Sequence, residues 1–282
     1  MALYRDYDRA ALDAQYFLRG RVPQHAEYFR RWAEDSAAAR RTRSCRLDIP
    51  YDGEKLDLFP AERRSAPCLL FIHGGYWQAF GKSDFSFVAP AFQDAGVTVA
   101  VVDYTLAPKA GMDEIVRQNR AAVAWLYRNA VECGIDPARI HVSGHSAGGH
   151  LTTMALATDW AALGLDRNPV RGACAISGLY DLEPIRLSYL NDVLALDATT
   201  AERNSPLRHL PKRSPPLILS VGTGETDEFL RQQESFAAAW RAAGLPLEIA
   251  DQPGDNHFDA VERLGQQQSP LHQAVMRQIS GA

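Results

Sequence analysis

Short apolar runs rich in β-branched residues alternate along this chain with longer stretches whose apolar positions recur at helical spacing. The run at 68–72 is continuous, the pattern of a strand buried on both faces of a sheet, and further short strands are expected at 97–102, 140–143, 172–176, 217–221 and 247–250. Between them the spacing predicts helices over 83–95, 112–133, 149–157, 228–243 and 270–279, with Gly134 placed to end the second. Strands and helices in alternation imply an α/β class, a mainly parallel sheet with helices on both faces. The sheet is expected to begin antiparallel, because segments 45–50 and 56–59 flank Asp52-Gly53, a pair suited to a tight hairpin turn.

Two segments stand apart from this alternation. Over 6–43, Tyr16, Phe17, Tyr28, Phe29 and Trp32 fall at roughly helical intervals, so one or two helices are expected, forming an N-terminal arm (1–43) over the body. Segment 179–210 is too long for an ordinary connection and contains no core-strand pattern; it is expected to be a lid. With no internal repeat, the 282 residues read as one domain.

Composition narrows the function classes. A chain 46% hydrophobic and 23% charged has the make-up of a packed, soluble protein. Its net charge of −4 offers no field to gather phosphate backbones or anionic lipid, so neither nucleic acid nor membrane is an expected partner. No apolar stretch approaches the ~20 residues that span a bilayer. Cys45, Cys68, Cys133 and Cys174 are scattered without a CxxC pair and read as free thiols, and the first residues carry charge where a secretory leader would be apolar. A cytoplasmic location is the expectation. His141, Ser143, His145 and His150 are close in sequence, but a strand, a turn and a helix would aim them apart, so no metal or cofactor is expected. A homodimer is compatible with the sequence.

The chemistry concentrates at two strand ends. Gly144-His145-Ser146-Ala147-Gly148 has the G-x-S-x-G spacing of a nucleophile elbow, with an apolar strand before it and a helix after it. Ser146 is therefore the candidate nucleophile, and the Ala147 N–H, at the helix start, a candidate oxyanion donor. His73-Gly74-Gly75-Tyr76-Trp77 leaves the strand at 68–72 and matches an HGGG-type oxyanion loop, with Tyr76 where a third glycine would stand. The Gly75 and Tyr76 amides are the expected donors.

This elbow is that of the α/β-hydrolase fold, where acid and histidine follow the nucleophile in chain order. His257, on a polar segment after the last predicted strand, is the expected base; His272 lies within a predicted helix and is expected at the surface. The acid lies beyond the strand ending at Val221, where Glu225, Asp227 and Glu228 all stand. Its usual position three residues past the strand-ending glycine, here Gly222, favours Glu225 over Asp227, and either carboxylate could orient the histidine.

The whole pattern resembles the kynurenine formamidase (arylformamidase) family, close to the hormone-sensitive-lipase-like esterases. The resemblance rests on His73-Gly74-Gly75-Tyr76-Trp77-Gln78, on Gly144-His145-Ser146-Ala147-Gly148-Gly149-His150-Leu151 and on Ser177-Gly178-Leu179-Tyr180-Asp181-Leu182-Glu183-Pro184. It continues through Asn204-Ser205-Pro206, Glu228-Phe229-Leu230-Arg231-Gln232 and His257-Phe258-Asp259. It implies a small-molecule substrate, N-formyl-L-kynurenine, hydrolysed to kynurenine and formate; an ester or another small amide is the alternative. Where the family carries an aspartate as triad acid, this chain places Glu225. A formyl group is the smallest acyl, so Tyr76 and Trp77 are candidates to narrow the acyl side of the site.

Overall fold

In the computed structural model, which describes residues 2–281, the hairpin opens the sheet. β1 (Arg46–Tyr51) turns through Asp52 and Gly53, both at positive φ (45° and 84°), into β2 (Glu54–Phe59). Two successive left-handed residues give the turn whose twist matches that of the flanking strands. The remaining strands are β3 (Ala66–Ile72), β4 (Thr98–Val102), β5 (Ile135–His145), β6 (Val170–Ile176), β7 (Leu217–Ser220) and β8 (Leu247–Ile249). They lie in the order β1-β2-β4-β3-β5-β6-β7-β8. β2 pairs antiparallel with β1 and β4, and every pairing from β4·β3 to β7·β8 is parallel.

The order in which strands are added reverses at β3, which has β4 on one side and β5 on the other, all three running parallel. Such a switch point opens a crevice beyond the carboxyl ends of the strands, and both glycine-rich motifs leave the sheet there. Every residue of β3 and β4 is buried, as continuous apolar runs require.

Helices cover both faces of the sheet: α4 (Ala89–Asp94), α5 (Met112–Arg128), α6 (Ala147–Leu156), α10 (Asp227–Ala242), α11 (His257–Glu262) and α12 (Pro270–Ser280). Two differ from the sequence expectation. The helix expected over 83–95 is α4 preceded by two 3₁₀ turns, Lys82–Asp84 and Ser86–Val88. Pro90 has no N–H to donate and suits only the first turn of a helix, so α4 starts there. The first 3₁₀ turn is tied down instead, by Asp103 accepting from the Lys82 N–H (2.6 Å) and by the Lys82 ammonium on Asp48 and Asp57 (2.9 and 3.1 Å). The helix expected to reach 133 ends at Arg128. Gly134, at φ 74°, instead closes the turn after it by donating to the Val131 carbonyl.

The arm has three helices, α1 (Arg9–Tyr16), α2 (Leu18–Arg21) and α3 (His25–Thr42). Its buried aromatics are also its fasteners. The Tyr16 hydroxyl donates to Glu228 at 3.0 Å, the Tyr28 hydroxyl to Asp259 at 2.7 Å, and the Trp32 indole N–H to Glu262 at 2.9 Å. Each thus combines a large apolar burial with a satisfied polar tip. Segment 179–210 folds as α7 (Glu183–Arg186), α8 (Asn191–Leu194), α9 (Ala198–Arg203) and a 3₁₀ turn, Pro206–Arg208. Tyr189 bridges the two appended regions: its backbone N–H donates to Asp13, and its hydroxyl to the Tyr16 carbonyl. Among the described residues no helix is long and apolar enough to cross a membrane.

Candidate active site

β5 delivers Ser146 through a sharp turn into α6. The serine adopts φ 57° and ψ −116°, a strained conformation that lifts its side chain out of the sheet. The flanking glycines are steric necessities. A Cβ on Gly144 would lie 2.3 Å from the Gly148 carbonyl oxygen, and one on Gly148 would lie 2.0 Å from that of Ile72. The elbow therefore folds tightly only because both positions lack a side chain.

At the end of β3, His73 stacks on Tyr104 (ring centroids 4.3 Å apart) and its Nδ1 donates to the Gly74 carbonyl at 2.8 Å. Gly75, Tyr76 and Trp77 then run through positive φ (106°, 50° and 59°). A Cβ on Gly75 would meet the Ala79 carbonyl oxygen at 2.2 Å, so this bend needs glycine. The amides of Gly75, Tyr76 and Ala147 have no acceptor among the described residues. Unpaired N–H groups beside a nucleophile are what an oxyanion needs.

His257 is the first residue of α11, where the sequence suggested a loop. Asn256 caps that helix by accepting from the Phe258 and Asp259 N–H groups, which fixes where the imidazole emerges. Its Nδ1 lies 2.6 Å from Glu225 Oε2. The other oxygen of Glu225 accepts from the Gly222 N–H at 2.9 Å and from the Ser177 hydroxyl. Glu225 is 5% exposed, whereas Asp227 starts α10 in solvent. With a carboxylate as acceptor, the proton sits on His257 Nδ1 and Nε2 is left basic. Ser146 Oγ makes no hydrogen bond to the described residues, although Ser146 and His257 line the same cavity; such contacts often close only around substrate.

The neighbouring histidine is a support. His145 Nε2 donates to the His257 carbonyl at 2.9 Å, and the two rings are 4.5 Å apart. Burial holds the His145 pKa well below 6.5, with the nearby His257 charge acting in the same direction, so His145 stays neutral. His150, on α6, accepts from the Trp77 indole through Nδ1 (3.2 Å) and donates through Nε2 to the Asn204 carbonyl (2.7 Å). It thereby ties the oxyanion loop to segment 179–210, and burial lowers its pKa to about 4.

Two expectations are corrected by these contacts. Trp77 does not narrow the acyl side of the site. It is fully buried against His150 and does not line the cavity, because consecutive positive φ values turn Tyr76 and Trp77 to opposite sides. His272 is not a surface residue: it is 3% exposed, donates to the Leu264 carbonyl and packs on Phe92.

The cavity over Ser146 has a volume of about 370 Å³. Its floor holds Ser146, His145, His257 and the Gly75-Tyr76 bend, and its walls are largely aromatic. Phe17, Arg19, Phe29 and Trp32 come from the arm, and Tyr189 and Leu190 from segment 179–210. Sequence reasoning found the floor but assigned no role to Phe17, Arg19, Tyr189 or Ser177. The available signal was the density of aromatics in the otherwise polar arm, which one packing surface does not need.

An α/β sheet with an elbow serine, open amides and a buried His–carboxylate pair beyond its strand ends defines an α/β-hydrolase. The comparisons agree on this class. The family model described as BD-FAE matches residues 56–171. A kynurenine formamidase of Danio rerio is 34% identical over 83% of this chain and 81% of its own; one of Salmo salar is 32% identical over 87% and 86%. The carboxylesterase NlhH of Mycobacterium tuberculosis is 29% identical over 69% and 66%. Among solved structures, a Silicibacter sp. tm1040 protein provisionally described as a thioesterase superposes with a TM-score of 0.82 at 31% identity, covering 94% of this chain and 98% of that one. The carboxylesterase EstE1, from a metagenomic library, shares the fold at a TM-score of 0.72 and 21% identity, with 91% and 97% covered. The chain is a hydrolase acting on small substrates. It belongs to the kynurenine formamidase family.

Proposed function

We propose that this hydrolase cleaves a small N-formyl aryl amide through an acyl-enzyme, converting N-formyl-L-kynurenine to L-kynurenine and formate. Ser146 Oγ attacks the formyl carbon while His257 Nε2 takes its proton. The carbonyl oxygen becomes an oxyanion received by the Gly75, Tyr76 and Ala147 amides, each donor of this kind contributing about 2.7–4 kcal/mol. His257, stabilised as imidazolium by Glu225, passes its proton to the departing aryl nitrogen, and the C–N bond breaks. Water then gives a proton to His257 and its hydroxyl oxygen to the formyl carbon; as the C–Oγ bond breaks, His257 returns the proton to Ser146 Oγ, and formate leaves.

The observation that carries this reading is the 2.6 Å His257–Glu225 pair, buried beside Ser146 under an aromatic-walled cavity. The formamidase relatives support the substrate; the esterase relatives favour a second reading, a carboxylesterase with the same machinery. The deciding measurement is kcat/KM for N-formyl-L-kynurenine beside 4-nitrophenyl acetate, in wild type and Ser146→Ala. Preference for the formamide, lost in Ser146→Ala, is the expected result. Ester turnover with negligible formamide cleavage gives the second reading, and full activity in Ser146→Ala removes the mechanism.

A further inference from the structure

The cavity has an electrical polarity that the triad does not use. Among the residues lining it, Arg19 is the one with a permanent charge. Arg19 sits on α2 at the exposed rim, while Ser146, 2% exposed, lies at the floor. Its guanidinium carbon is held 5.5 Å from the centroid of the Phe29 ring. Its charge also reaches Tyr189, another residue of the cavity wall: burial and Asp13 raise the Tyr189 pKa, and the Arg19 charge opposes both. Phe29 belongs to the cavity wall, so the cation rests over one ring of that wall and faces the cavity mouth.

This arginine has no carboxylate partner among the described residues. Asp13, an acid of the preceding helix, is already occupied by Arg9 and by the Tyr189 N–H. An arginine kept beside an aromatic cavity, with no acid of the protein to neutralise it, leaves its planar fork of donors free for a ligand anion. A ligand spanning the cavity would have its scissile acyl group at the floor, an aromatic body between the walls, and a negative group at the rim.

Resting on the formamidase reading for the acyl group alone, we infer that Arg19 is the specificity residue that binds the carboxylate of an anionic aromatic substrate. The carboxylate is on the leaving-group side, because the acyl carbon is the atom that must reach Ser146. Arg19 acts on binding and takes no part in bond-making. Its loss therefore appears in KM and hardly in kcat.

The test uses two matched pairs. The first is 4-(2-formamidophenyl)-4-oxobutanoate and its neutral primary amide; the second is the pair of corresponding 2-acetoxyphenyl esters. Within each pair only the charge of the distal group differs. Wild type should favour the anionic member of each pair, less so as salt rises, because a rim charge is screened. In Arg19→Met, kcat/KM for the anionic members should fall about tenfold through KM, and less than about threefold for the neutral ones, with Arg19→Lys between wild type and Met. Equal losses on both members, or no loss on the anionic ones, overturn the inference. If wild type cleaves the acetates and neither formamide, the formamidase reading fails while the ester pair still decides Arg19. If the formamides are cleaved without charge discrimination, that reading stands and this one falls. Absence of turnover on all four overturns both.

Discussion

Replacing Glu225 by Gln changes one atom of the carboxylate, and the structure dictates which way the amide must sit. One oxygen of Glu225 accepts from the Gly222 N–H and from the Ser177 hydroxyl, and the other faces His257 Nδ1. A Gln amide nitrogen cannot face the Gly222 N–H, because two donors would then meet in a buried place. The amide oxygen therefore takes the Gly222 side, and the NH₂ is driven against His257. His257 must answer with an unprotonated Nδ1, moving its proton to Nε2, the atom that has to receive the Ser146 proton. The variant thus loses both the base tautomer and the negative charge that stabilises the imidazolium. A loss of about 10⁴ in kcat, or about 5.5 kcal/mol of barrier, is expected for this wrong-tautomer state. Asp227→Asn is the control: that carboxylate is solvent-exposed at the start of α10, and the change should move kcat by less than about threefold. Steady-state kinetics on an activated ester, with circular dichroism to check the fold, measures both. If Asp227→Asn abolishes turnover and Glu225→Gln retains it, the reasoning from the hydrogen-bond geometry is refuted.

Ser177→Ala removes one of the donors on Glu225 and should lower kcat by about ten- to a hundredfold, since a hydrogen bond to a charged group is worth about 1.5–3 kcal/mol; unchanged kinetics would show that Gly222 holds the carboxylate alone. Gly148→Ala forces a Cβ to within 2.0 Å of a carbonyl oxygen of the central strand, so more than about 4 kcal/mol of stability should be lost; a variant with wild-type Tm would contradict the packing of the elbow. Trp32→Ala deletes a side chain only 2% exposed and should cost about 3–5 kcal/mol in urea unfolding if the arm unfolds with the body; an unchanged midpoint would show that the arm detaches separately. Burial lowers the pKa of His141 and of His150 to about 4, so between pH 6.5 and 4 the unfolded chain binds protons that the folded one does not. Stability is therefore fully present above pH 6.5 and falls as pH drops toward 4, by up to about 3 kcal/mol for each histidine. Tm measured across this range should slope accordingly, and His141→Leu should flatten it; an unaltered slope would remove His141 from the account.

The sequence carried the sheet and the catalytic strand ends because both are local. A run such as Cys68 to Ile72 is apolar throughout because its strand is buried on both faces, and the G-x-S-x-G spacing is dictated by clashes within a few residues of Ser146. Helix limits were legible only where local chemistry set them. The break before α4 came from Pro90 together with ion pairs to Asp48 and Asp57, partners distant along the chain. Spacing favoured Glu225 over Asp227, but the hydrogen bonds around its carboxylate needed Ser177, Gly222 and His257 to converge from three different strand ends and loops along the chain. Trp77 and His272 were misread for a related reason, since whether an aromatic lines a cavity or fills the core depends on the backbone turn and on neighbours such as His150 and Phe92. By itself the sequence determined the α/β class and marked the elbow, the candidate oxyanion loop and the candidate base, all of them patterns of adjacent residues. Only the tertiary structure decided what surrounds them: the arm and segment 179–210 closing an aromatic cavity, with an arginine at its rim that has no carboxylate partner among the described residues, because such contacts join residues whose separation along the chain leaves no periodic trace.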